Sequence, residues 1–74
     1  MAKHLVMDRT GHSVIQFDPT KTVDIKEAME RFDKLTKEGH TAATRSAGET
    51  DYKLTKAFDP TADETLFVPQ LQGG

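Results

Sequence analysis

An α+β fold, with one helix laid across a small mixed sheet, is the class this sequence predicts, and three observations predict it. Ile25, Ala28, Met29, Phe32 and Leu35 recur at the i, i+3, i+4, i+7 spacing that puts apolar side chains on one stripe of a helix. Short apolar runs broken by turn residues lie on both sides of that stripe, as strands do. The chain has 74 residues and 35% hydrophobic content, enough for one domain with one modest core between two layers.

The elements follow in order. Residues 3–8 read as a strand, 9–12 as a turn containing Gly11, and 12–17 as a second strand completing a hairpin. Asp18-Pro19 ends that hairpin, because proline has no N–H to give a ladder. The helix is expected over about 23–38, started by Thr22 or Asp24 and stopped at Gly39, which suits a left-handed cap. Glu27 with Arg31, and Glu30 with Lys34, stand in the favourable i, i+4 order on its outer side. Residues 40–45 alternate weakly and read as a strand, and 46–51 as a loop around Gly48. Residues 52–58 read as a strand with Tyr52, Leu54 and Phe58 on one side. A turn over 59–64 leads to a last strand at 65–68, stopped by Pro69. The domain is thus expected to span 1–69, with a mobile tail at 70–74. A sheet of four to five strands in two hairpins packed on one central helix accounts for this order. Phe17-Asp18-Pro19-Thr20 recurs as Phe58-Asp59-Pro60-Thr61, and ordinary turn chemistry explains the recurrence better than duplicated halves.

Composition narrows the function. There is no cysteine, which excludes disulfides, thiolate metal sites and thiol catalysis and leans towards a reducing, cytoplasmic setting. The longest apolar run near the start, Leu5-Val6-Met7, is too short for a signal peptide, and no segment approaches a membrane span. Ten basic and twelve acidic residues are mixed along the chain, with a net charge of −2. Lys53 and Lys56 near Tyr52 read as solvated strand positions, so no nucleic-acid partner is expected.

No side chain stands out as catalytic. His4, His12 and His40 lack metal-ligand spacing and read as surface histidines, although His4 and His12 could approach across the hairpin, with Asp8 as a third ligand. Ser13 and Ser46 have no nucleophile elbow around them. The acids at Asp8, Asp18, Asp24, Asp59, Asp63 and Glu64 fall in turns and at caps, where they are favoured structurally. No Gly-rich phosphate loop is present. The expectation is a monomeric protein without enzymatic activity, metal or cofactor, whose partners are other proteins.

The tail Pro69-Gln70-Leu71-Gln72-Gly73-Gly74 is the unusual feature. Glycines are slim enough to enter a narrow active-site tunnel, and a glycine carboxylate is unhindered for activation. Together with Thr10-Gly11-His12-Ser13-Val14-Ile15, Asp18-Pro19-Thr20-Lys21-Thr22-Val23, Ala47-Gly48-Glu49 and Glu64-Thr65-Leu66-Phe67-Val68, this tail resembles the ubiquitin-like, or β-grasp, family. The resemblance covers most of the chain, least well over 36–46. Pro69 and Gln70 interrupt the family's final strand, and Gln72 stands where the family has an arginine that helps to select the activating enzyme.

The resemblance implies a small protein modifier or carrier. A partner enzyme would adenylate the Gly74 carboxylate with ATP and pass it to a thiol, and then to an acceptor protein's amine or to sulfur. Gly73 and Gly74 would be the activated end, while Leu71 and Gln72 would be read by the activating enzyme. The alternative is a non-catalytic adaptor or accessory domain, for example from a mobile element, binding through a face or through an exposed edge strand such as Thr41 to Arg45.

Overall fold

The structure is a computed structural model, and it describes residues 1–8 and 11–69. Five strands form one mixed sheet: β1 (Ala2–Asp8), β2 (Gly11–Phe17), β3 (His40–Arg45), β4 (Lys53–Thr55) and β5 (Glu64–Pro69). One helix, α1 (Thr22–Lys37), lies between β2 and β3 in the chain. The strand order across the sheet is β2-β1-β5-β3-β4. β1 and β2 pair antiparallel, as do β3 with β4 and β3 with β5, whereas β1 and β5 run parallel side by side. The first and last strands therefore form the middle of the sheet. The two edges are β2 and β4, so the segment Thr41 to Arg45, expected as an exposed edge, is instead an inner strand flanked by β5 and β4.

Strand pleating sorts the side chains. Ala2, His4 and Val6 of β1 point to one face together with their partners Phe17, Ile15 and Ser13 of β2 and with Thr65 and Phe67 of β5. The helix covers this face. Ala28 and Phe32 are buried under it, with Ile25 and Leu35 packed at the margins. The expected stripe is thus real but narrower than predicted, because Met29 is 46% exposed.

The helix runs one residue earlier than predicted at both ends. Neither expected residue caps it. Lys21 holds the N-cap position without a side-chain hydrogen bond. Asp24 instead accepts a hydrogen bond from the backbone N–H of Asp18 at 2.9 Å, tying the first turn of α1 to the exit from β2. Gly39 does close the helix with φ of 101°, and its N–H donates to the carbonyl of Thr36. The expected helix-surface ion pairs do not form: among the described residues the ion pairs are Arg45 with Glu64 and Lys53 with Glu49.

The fourth strand is shorter than the alternation at 52–58 suggests. Leu54 is 80% exposed, and Phe58 leaves the strand to pack on both halves of the core. Its position is set by the repeated tetrapeptide. Asp18 Oδ1 accepts hydrogen bonds from the N–H and hydroxyl of Thr20 at 2.9 and 2.6 Å. Asp59 Oδ1 accepts the same two bonds from Thr61 at the same distances. The repeat is therefore one turn used twice, and each copy delivers the phenylalanine before it to the core, leaving Phe17 and Phe58 with ring centroids 6.3 Å apart.

Candidate functional site

Three features of the molecule could carry function: the sheet face away from the helix, the junction with the C-terminal segment, and a histidine buried in the core. The first is the most developed. Register places Val14 opposite Leu5, Leu5 opposite Leu66, Leu66 opposite Ala43, and Ala43 opposite Leu54. An unbroken apolar row therefore crosses all five strands on the face that α1 leaves open. Met7 and Val68 extend it on β1 and β5. Val14, Met7 and Leu54 are open to solvent, whereas Leu5 and Leu66 between them are half-buried and Ala43 is buried. Surfaces of soluble proteins carry scattered apolar residues, but contiguous ones mark binding sites.

A polar cluster bounds one side of this row. Arg45 Nη2 meets Glu64 Oε1 at 2.7 Å, and the Tyr52 hydroxyl donates to Glu64 Oε2 at 2.6 Å. The Arg45 guanidinium also lies 5.7 Å from the Tyr52 ring centroid and donates to the carbonyl of Glu49. The hydrogen bonds from Tyr52 and Arg45 hold the Glu64 carboxyl below its usual range, and that same carboxylate pushes the Tyr52 phenol up. The cluster fastens the loop between β3 and β4 to β5. Within that loop Glu49 N–H donates to the carbonyl of Ser46 across a turn whose third residue is Gly48, with φ of 85°.

Gly73, Gly74, Leu71 and Gln72, the residues expected to be activated and read, lie outside the described residues. Their point of departure is defined: β5 ends at Pro69, which pairs with His40 at the end of β3. The segment thus leaves from the centre of the sheet, not from an edge.

His4, expected at the surface, is fully buried. Its ring sits edge-on to Phe17, Phe58 and Phe67 at 4.9, 6.1 and 5.1 Å, and its Nδ1 faces Arg31 Nη1 at 3.2 Å. Because arginine is always a donor, Nδ1 is the accepting nitrogen, and Nε2 has no hydrogen-bond partner among the described residues. Burial, and then the nearby Arg31 charge, lower its pKa from 6.5 to about 4. This is a neutral core histidine. His12 pairs with Met7 on the open face, so the two histidines are on opposite sides of the sheet and cannot share a metal. Among the described residues no group of three or more histidine, aspartate or glutamate side chains could hold a metal ion. Nor is any described helix long and apolar enough to cross a membrane.

The open row was missed by sequence reasoning for a definable reason. β1, β2, β3 and β5 each show apolar residues on both pleats, so only the register reveals which of them align. No family profile, curated protein or solved structure matches the chain.

Proposed function

We propose that this protein is a non-catalytic β-grasp domain of the ubiquitin-like kind, which works by being bound by other proteins through the open face of its sheet. The carrying observation is the apolar row Val14, Leu5, Leu66, Ala43 and Leu54. The five-stranded mixed sheet with one helix and a central parallel β1–β5 pair is compatible with a β-grasp and supports the same reading. The test is retention of host proteins on immobilised wild type, on Leu54→Asp and Met7→Asp, and on a Lys26→Glu control placed on the outer side of α1. Proteins kept by wild type and the control but lost from both face variants support the proposal. Equal retention by all four overturns it.

A second reading, covalent attachment through Gly74, is favoured by the paired glycines Gly73 and Gly74 after Leu71. It requires Gly74 to carry a free carboxylate in the host, which the mass of the C-terminal peptide from native protein would establish. Tagged protein should then form adducts of higher mass that vanish when Gly73 and Gly74 are removed. Absence of adducts from both forms would sink conjugation and leave the binding domain.

A further inference from the structure

We propose that β2 pairs antiparallel with β2 of a second copy about a two-fold axis at Val14, joining two sheets into one. An edge strand exposes unpaired N–H and C=O groups, and soluble proteins usually block such edges with charge, proline, bulges or short length. The edge at β4 follows that rule: it has three residues, begins at Lys53 and is followed by Lys56. The edge at β2 does not. Its seven residues, Gly11–Phe17, include no lysine, arginine, aspartate, glutamate or proline, and every one of them pairs in unbroken register with β1, without a bulge.

Several features point to a second copy and not to an unrelated strand. Val14 is the middle residue of β2, so a two-fold axis there uses the full length of both strands. Such pairing sets Val14 opposite Val14, Ser13 opposite Ile15, His12 opposite Gln16 and Gly11 opposite Phe17. No like charges of acid, lysine or arginine meet, and each larger residue on the helix side faces a small one. The axis stands perpendicular to the sheet, which keeps both helices on one side and both open faces on the other. The apolar row that ends at Val14 then continues through the partner's Val14 to its Leu5 and Leu66.

The helix side agrees. Between β2 and α1 runs a groove of about 300 Å³ with Val6, Ile15 and Leu35 on its floor and Arg31, Lys34 and Glu38 beside them. It holds apolar surface and both signs of charge, which is compatible with a self-complementary two-fold interface. Arg31 makes its hydrogen bond to His4, and among the described residues no carboxylate pairs with it.

The test has two independent parts. Sedimentation velocity of the wild type from micromolar to millimolar concentration should show a monomer converting to a dimer. Val14→Lys should abolish the dimer with an unchanged far-ultraviolet circular dichroism spectrum, whereas Leu54→Asp should retain it. The chain has no cysteine, so single cysteines report register. Directly opposed β-carbons lie about 4.5–5.5 Å apart, close to disulfide reach. Val14→Cys should therefore cross-link under mild oxidation far more completely than Gln16→Cys or Leu54→Cys. A wild type that stays monomeric throughout overturns the proposal, including where β2 accepts only a foreign strand. A dimer in which Leu54→Cys cross-links and Val14→Cys does not overturns it as well. Failure here leaves the open-face reading intact, since that reading is tested at Leu54 and Met7.

Discussion

At the scale of single residues, His4 governs the acid response. Its folded pKa of about 4 lies below the usual 6.5, so on acidification the unfolded chain takes up the proton first. The stability associated with keeping this ring neutral is complete above pH 6.5 and is lost progressively as the pH falls towards 4. Denaturant titration should find the protein less stable at pH 5 than at pH 8 by roughly 1–2 kcal/mol from this group. His4→Leu should flatten that difference, and an unchanged slope in the variant would refute the assignment. The carboxylates add their own losses at lower pH, since the threonine hydrogen bonds to Asp18 and Asp59 hold both below the usual range. The burial of His4 was not legible from its neighbours. Alternation in Ala2-Lys3-His4-Leu5-Val6-Met7 offers one face of Ala2, His4 and Val6 and another of Lys3, Leu5 and Met7, and the second contains as much apolar surface. What selects the first face is the ring of Phe17, Phe58 and Phe67, which comes from three distant parts of the chain.

At the scale of elements, the connections do as much as the strands. Gly48 has a positive φ, and a Cβ added there would meet nothing within 4 Å. Gly48→Ala should therefore cost only backbone strain, about 1–2 kcal/mol in denaturant unfolding. An effect near zero would mean that the turn re-forms with another geometry. Glu64→Gln should lower the Tyr52 phenol pKa towards its usual value, read by ultraviolet titration, because the Glu64 hydrogen bond is the main cause of the upward shift. No change would mean that the two side chains are apart in solution. The helix was the most legible element, since Ile25, Ala28, Phe32 and Leu35 carry its period without help from the rest of the chain. β4 was the least legible. Phe58 has the strand parity of Leu54, but the Asp59–Thr61 turn withdraws it into the core, and no local pattern distinguishes a ring that continues a strand from one that leaves it.

At the scale of the whole molecule, the strand order explains why so little of the sheet can be spared. β5 supplies the partner of both β1 and β3, and Phe67 at its centre is completely buried. A chain ending at residue 63 should lose its cooperative unfolding transition altogether, while removal of 70–74 should leave the transition in place, both read by circular dichroism on heating. A retained transition in the shorter chain would mean that the two hairpins are independent folding units. The candidate face belongs to this scale too, because it exists only after five strands are in register. That is why the apolar row was hidden in a sequence whose α+β class was plain. The same adjacency of first and last strands constrains how the protein is born. On the ribosome, β1 emerges early and waits through the synthesis of every other element for the strand that will lie beside it. The core closes only once β5 has left the ribosome and can lie between β1 and β3. Until then the nascent chain presents Phe17, Phe32 and Phe58 without Phe67 to cover them, and it is in that interval that the chain is most exposed to misassociation.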